Sequence, residues 1–354
     1  MQALSPLQSD CAVGMHGLSR SSIRPLRSIV LTCHDVFEKE PAMPLEFGIS
    51  ISVQAFAEGI AEIEAMGYRF VDFATFLAGH SRGNLALMTF DDAFVSALEH
   101  ALPLLARRNI PSVIFLISRS LFDKGDPFPT WLHLMKHRSG SARILASHGL
   151  LAEALAAASY PTFDDFLAAP IADVEQRFAN CLSPEQLSAL SALVSQTPGL
   201  GRVTATHKQI PDHPLVAFGA HSRSHRSFAS IGSVEIDNEI TGSLSDLASI
   251  TGQPAKQIPF CYPYGAVTVH ARGTVGLHAA AGFTCAERPV CRLDPLAALP
   301  RFNFDDHLLV KIASATRWRM HLSRVRERTH LRLRTGAAWR LIAPLHKLAQ
   351  WVMP

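Results

Sequence analysis

The chain has 354 residues, 48% of them hydrophobic and 18% charged, which suits a globular fold with a sizeable core and excludes a disordered or fibrous chain. Net charge is only +3, yet residues 317–354 hold eight Arg and Lys347 against the single Glu327, so the body is mildly acidic and the end strongly basic. The six cysteines show no C-x-x-C pair and read as reduced thiols; no secretory h-region and no apolar run of about 18 residues is found, so neither a disulfide scaffold nor a spanning helix is expected.

Residues 1–26 are polar and rich in Ser and Arg, and are expected to be poorly ordered. Ser28–Val36 reads as one buried strand ending in His34-Asp35. Helical periodicity follows over Val53–Met66, closed by Gly67 as a cap. Leu85–Asp92 is a short buried strand with two adjacent carboxylates at its C-terminal end, residues 94–108 look helical, and Pro111–Ile117 is a further β-rich run. Residues 122–214 are Ala- and Leu-rich without clear strands and read as an inserted helical lobe. Strands resume at Leu215–Ala220, Ile258–Tyr262 and Phe283–Ala286, with helical stretches over 233–250 and 268–281. Strands alternating with helices imply an α/β fold with a parallel sheet, open or closed into a barrel. The division expected is thus 1–26, a barrel over 27–316 carrying the lobe, and a tail over 317–354.

Two neighbouring anions at a strand end repel each other and call for a positive partner, for which a metal ion is the usual answer. Asp92 with His221 and His225, two imidazoles four residues apart after the strand Leu215–Ala220, form a ligand set for one divalent cation. Spacing alone is poor support, because 17 His in such a chain allow roughly one such pair by chance. His133 and His137 share the spacing, and Thr162-Phe163-Asp164-Asp165 repeats Thr89-Phe90-Asp91-Asp92 letter for letter. Context separates the copies. Thr162 follows Pro161 and precedes a helical stretch, which suits a cap, and His133 and His137 read as a solvated helix face. Thr89–Asp92 and His221–His225 each end a predicted parallel strand, where α/β folds place their ligands.

Thr-Phe-Asp-Asp, His-Ser-x-x-His and Phe260-Cys-Tyr-Pro-Tyr-Gly265, in that order, resemble the polysaccharide deacetylases with a NodB-homology domain (carbohydrate esterase family four). The resemblance implies a distorted (β/α) barrel with one divalent metal, usually zinc. It implies Asp91 as general base and Asp92, His221 and His225 as metal ligands. Pro263, Tyr264 and Gly265 would line the acetyl pocket, with the Tyr264 N–H at the oxyanion.

Three departures stand out. Ala93 replaces the Gly that commonly follows the Asp pair, so the turn is expected to avoid a conformation that needs Gly. The Arg common before the Pro of the third motif is replaced by Cys261 and Tyr262. No late Leu-x-x-His motif supplies a proton donor. Cys33-His34-Asp35-Val36 is similar to the first-strand motif of the circularly permuted poly-N-acetylglucosamine deacetylases, which makes His34 the general acid, with His307 next in line. Leu299-Pro300-Arg301 resembles a late motif of that branch, in which Arg301 would orient Asp91, against the alternative of a surface Arg.

The reading is a metal-dependent hydrolase that removes an N-acetyl group from an amino sugar in a glycan or in a lipid- or nucleotide-linked precursor. Its rivals are a non-catalytic glycan-binding or envelope-assembly protein on the same fold, favoured by Ala93 and the missing Arg, and a hydrolase of another acyl or cyclic amide bond. The tail, with Trp318, Trp339 and Trp351 among its arginines, suits peripheral contact with an anionic membrane or a packed helix; no nucleic-acid module accompanies it. A cytoplasmic location, peripheral to the inner membrane, is expected.

Overall fold

A computed structural model describes residues 27–43, 48–122 and 124–316. Its strands are β1 (Ile29–Cys33), β2 (Asp35–Phe37), β3 (Ser50–Ser52), β4 (Arg69–Phe70), β5 (Leu85–Phe90), β6 (Ser112–Leu116), β7 (Val216–Ala220), β8 (Phe260–Cys261), β9 (Gly282–Phe283) and β10 (Phe302–Asn303). One parallel sheet runs in the order β10-β1-β5-β6-β7-β8-β9, with β4 against Leu85 and Ala86 of β5. β2 and β3 form a separate parallel pair. Phe283 of β9 bridges Leu299 in parallel, and the chain then runs into β10, which pairs with β1. The two edges of the sheet therefore meet, and the fold is a distorted (β/α) barrel.

Side chains alternate across each strand, so period two sorts the residues into two buried faces. Val30, Leu87, Val113, Phe115, Cys261, Phe283 and Leu299 form the inner cluster. Ile29, Leu31, Met88, Phe90, Ile114 and Phe260 face the helices and join the larger core. A sheet buried on both faces has almost no polar positions along its strands, which is why the runs read as continuously apolar. Gly219 is required by this geometry: a Cβ there would come within 2.4 Å of the Phe115 ring.

The helix Val53–Ala65 starts at Ser52, whose hydroxyl accepts the Ala55 amide, and packs Phe56 against Phe90 and Phe304. Helices Ser233–Thr251 and Val269–His278 cover the far side. Between β6 and β7 lie the helices Thr130–His137, Gly149–Ala157, Phe163–Ala168, Ile171–Cys181 and Pro184–Gln196, packed around Trp131, Phe166 and Phe178. Among the described residues no helix is long and apolar enough to cross a membrane. The expectations for residues 1–26 and the basic tail 317–354 lie outside the described residues.

The first strand differs from its expected form. It breaks at His34, after which Asp35 opens β2 and leaves the barrel wall. The cause is local: Asp35 is buried and accepts the amides of Ala42 and Met43 and the hydroxyls of Ser50 and Ser96. These four donors draw the chain off the sheet. The short strands β3, β4 and β10 escape sequence reading because two or three residues carry no periodicity.

Thr162 caps the helix Phe163–Ala168, its hydroxyl accepting the Asp165 amide at 3.0 Å. Thr162→Ala is expected to lower stability by about 1 kcal/mol in urea unfolding. An unchanged unfolding midpoint would mean that this cap contributes nothing.

Candidate active site

The inner face carries past the strand ends in phase. Thr32 leads to His34, Thr89 to Asp91, Gly219 to His221, Phe283 to Cys285 and Leu299 to Arg301. All of these end residues line one pocket of about 530 Å³ at the C-terminal mouth of the barrel, together with Asp92, His225, Tyr262 and Tyr264.

Asp91 is held at its base by its own amide, which donates to the Cys33 carbonyl at 3.0 Å. Arg301 is fully buried and grips the carboxylate with both terminal nitrogens, Nη1 to Oδ1 and Nη2 to Oδ2, each at 2.7 Å. Its Nε donates to the Thr284 carbonyl at 3.1 Å, and its Nη1 also reaches the Thr89 hydroxyl at 3.2 Å. Arg301 is thus no surface residue; it stands against Asp91. Burial alone would raise the Asp91 carboxyl, but the Arg301 charge and hydrogen bonds outweigh it and hold Asp91 well below the usual carboxylate range. Asp91 is therefore ionised and oriented.

Asp92 has the opposite surroundings. Among the described residues its buried Oδ1 takes no hydrogen bond, yet Nε2 of His221 and Nε2 of His225 each stand 3.5 Å from it. The His221 Nδ1 donates to the Cys261 carbonyl at 2.8 Å, which leaves Nε2 with a free lone pair aimed at Asp92. Burial pushes both imidazoles down to about 4, so they are neutral and able to ligate. An orphaned carboxylate oxygen between two neutral imidazoles fits a divalent cation. A second grouping, Asp91 with His221 and Cys261, fits less well. There Arg301 already occupies the carboxylate, and burial pushes the Cys261 thiol up so that it keeps its proton.

Backbone strain gathers at this mouth. Asp92, Ala93, Ser222, His225 and Tyr264 all have positive φ, against Asn84, Asn109 and Ser159 elsewhere. Ala93, at φ 52, adopts the left-handed turn that its Cβ was expected to forbid. The turn survives because Ala93 is buried, its carbonyl accepts the Ala205 amide at 2.8 Å, and Phe94 bridges Thr204.

His34 lines the pocket with its Nε2 3.7 Å from Asp91 Oδ2, too far for a hydrogen bond, and its side chain is 19% exposed. Tyr264 is half exposed and lays its ring 4.8 Å from that of His225. His307 is exposed and lies outside the residues lining this pocket. The reading of His133 as a solvated helix face is overturned. Its Nε2 contacts Glu175 Oε1, its side chain is only 17% exposed, and both residues line the pocket. His137 is exposed. Sequence reading also missed Glu175, Cys285, Glu287 and Asn303 in the lining; for Cys285 the inner-face phase set by Phe283 was the available signal, whereas nothing local marks the other three.

Removing one partner of a buried ion pair strands the other charge. Arg301→Met is expected to destabilise the fold by about 3–5 kcal/mol in urea unfolding. Adding Asp91→Asn to Arg301→Met is expected to recover part of that loss, and strictly additive costs would mean that the two side chains are not coupled.

Residues 153–285 match the family model described as polysaccharide deacetylase, a span that includes His221–His225 and Pro263–Gly265. No curated protein matches the chain significantly. Among solved structures, the Streptococcus pyogenes deacetylase PplD in complex with acetate is 14% identical, with a TM-score of 0.48 over 82% of this chain and 99% of that one. IcaB from Ammonifex degensii is 18% identical, with a TM-score of 0.48 over 83% and 100%. A polysaccharide deacetylase from Bacillus cereus is 13% identical, with a TM-score of 0.49 over 82% and 69%. The resemblance of this chain to the polysaccharide deacetylases thus stands on a family match as well as on its three motifs.

Proposed function

We propose that the protein is a metal-dependent deacetylase of an N-acetylated amino sugar within a glycan. The observation that carries the reading is the meeting, in one pocket, of an ionised and oriented Asp91, an orphaned Asp92 between His221 and His225, and His34. The family match over residues 153–285 supports the reaction class.

Asp92, His221 and His225 would hold the cation, most simply zinc given two imidazoles and one carboxylate. When bound, such a cation acts as a Lewis acid on the acyl carbonyl and makes water more acidic. Asp91, fixed by Arg301, takes a proton from the attacking water. By the resemblance of its motif, the Tyr264 N–H, on a backbone turned to φ 55, would stabilise the developing oxyanion. His34, across from Asp91, gives a proton to the departing amine. The departures that weighed toward a non-catalytic protein lose force, since Ala93 takes up the turn and Arg301 stands beside Asp91.

His221→Ala and His225→Ala are expected to lose most bound zinc by elemental analysis, whereas His133→Ala keeps it. Asp91→Asn is expected to keep zinc and release no acetate from N-acetylglucosamine oligomers. Wild-type turnover in Asp91→Asn would sink the mechanism.

His34→Ala separates the general acid from the rest of the site. Loss of a general acid typically costs 10²–10⁴-fold, but only where the leaving group must be protonated. The variant is therefore expected to lose that much on N-acetyl substrates while retaining zinc and much of its activity on an activated aryl acetate. Equal losses on both would exclude this role for His34.

A further inference from the structure

The two imidazoles that face Asp92 are held in different ways. His221 directly follows β7, its amide donates to the Leu116 carbonyl at 2.8 Å, and its Nδ1 donates to the Cys261 carbonyl. His225 lies further along the loop, and among the described residues its buried Nδ1 has no hydrogen-bond partner. A histidine set to ligate through Nε2 is ordinarily aimed by the bond that its other nitrogen makes. The His225 ring is flanked by those of His221 and Tyr264, with centres 4.9 and 4.8 Å away, but no hydrogen bond from Nδ1 fixes its aim. That aim therefore rests on the backbone that carries it, which turns left-handed at Ser222 (φ 62) and again at His225 (φ 59).

This backbone is gripped from outside the pocket. Glu239, on the helix Ser233–Thr251, accepts the Arg223 and Ser224 amides on Oε2, each at 2.9 Å, and the Ser224 hydroxyl on Oε1 at 2.6 Å. On the other side, the Ser222 and Arg223 carbonyls accept the amides of Ser118 and Arg119, at 3.2 and 3.1 Å. The Ser222 hydroxyl closes the loop by accepting the His225 amide at 2.9 Å. One helix face is shaped for this contact, since Glu239, Gly242 and Asp246 follow each other at helical spacing. Asp246 takes the Arg223 Nε at 3.2 Å and the Ser118 hydroxyl at 2.6 Å. Gly242 leaves room for the Arg223 stem, because a Cβ there would lie 2.4 Å from its Cδ. Non-glycine residues in the left-handed region are costly, and charge-assisted hydrogen bonds from a carboxylate offset that cost.

We propose that Glu239 is a positioning residue for the cation: by fixing the loop between the two imidazoles, it presents the His225 Nε2 to Asp92 in advance. A loop ordered only on binding would take its ordering cost out of the affinity for the ion. The proposal rests on the metal reading of Asp92, His221 and His225, and adds to it a carboxylate outside the pocket lining. An ordinary helix-to-loop contact would serve the fold alone, and zinc affinity separates the two.

Zinc-free protein titrated with zinc against a competing chelator reads that affinity without any turnover. Glu239→Ala is expected to weaken zinc binding by about 10- to 100-fold, the usual worth of an outer partner that orients a metal ligand. Glu239→Gln presents a neutral oxygen in place of Oε2 and is expected to restore most of the affinity. Glu239→Asp keeps the charge but draws the carboxylate back by one methylene, so it is expected to behave like Glu239→Ala. It carries the test if the alanine variant does not fold. Asp246→Ala removes side-chain contacts from the same helix face but none from the loop amides, and is expected to bind zinc as wild type does. Unaltered affinity in Glu239→Ala and Glu239→Asp would overturn the proposal, as would no recovery in Glu239→Gln. An equal loss in Asp246→Ala would also overturn it, by reducing Glu239 to helix packing. Zinc binding absent from wild type would instead overturn the metal reading itself, and this proposal with it.

Discussion

Two charges, Asp91 and Arg301, are buried together inside this barrel, and the mouth of the fold is arranged around that fact. Moving each from water costs several kcal/mol, and mutual attraction offsets this only when the geometry is good and the remaining donors are satisfied. Here the fork is bidentate, and the other guanidinium protons go to Thr89, Thr284 and Cys261 Sγ. The guanidinium also lies over the Phe115 ring, 5.7 Å from its centre. Those partners come from β5, β8, β6 and the segment after β9, and Arg301 itself lies just before β10, where the sheet closes. One ion pair therefore joins the strand that ends in the carboxylates to the segment that completes the ring. The base of the proposed reaction and the closure of the barrel depend on the same hydrogen bonds.

Much of this was legible in the sequence because barrel strands obey a strict period. Once β1, β5 and β7 are recognised as buried on both faces, every second residue points inward. His34, Asp91 and His221 then follow in phase with Val30, Leu87 and Ala217. The decoy Thr162-Phe163-Asp164-Asp165 was separable for the same reason: it lies at a helix start, where the first residue accepts an amide and nothing directs the carboxylates to a common point. Arg301 lay at the limit of what could be read. Its neighbour Leu299 forms an isolated bridge, and β10 is two residues long, so no periodic signal separated an inward Arg from a surface one.

What stayed hidden has a common cause, namely contacts between segments distant in the chain. His133 sits on a helix whose apolar face is plain from Trp131, Leu132, Leu134 and Met135, but its partner Glu175 is 42 residues away on another helix. No pattern within either helix shows that their flanks meet over a pocket. Ala93 is a similar case. Local reasoning holds that a Cβ disfavours the left-handed region, by roughly 1–2 kcal/mol. The hydrogen bond from Ala205 and the bridge from Phe94 to Thr204 come from the far end of the lobe and hold the turn regardless. Tertiary contacts override a local preference of that size.

The lobe thereby links fold to chemistry in two ways, by supporting the turn that carries Asp92 and by walling the pocket that Asp92 faces. The divergent fates of the two adjacent carboxylates follow. Burial raises both, but Asp91 is gripped by a guanidinium that reverses the effect, whereas Asp92 has no such hydrogen-bonded cation among the described residues and stays raised. Neighbouring acids in one strand end are thus driven apart, one held as an anion with its partner built in, the other left in need of one. Left-handed backbone at Asp92, Ala93, Ser222 and His225 sets an unsatisfied carboxylate between two imidazoles, and internal contacts hold that backbone, the Ala205 amide on the Ala93 carbonyl and the His225 amide on the Ser222 hydroxyl among them. The carboxylate oxygen and the two imidazole nitrogens that face it are the donor set that the proposed cation would satisfy together.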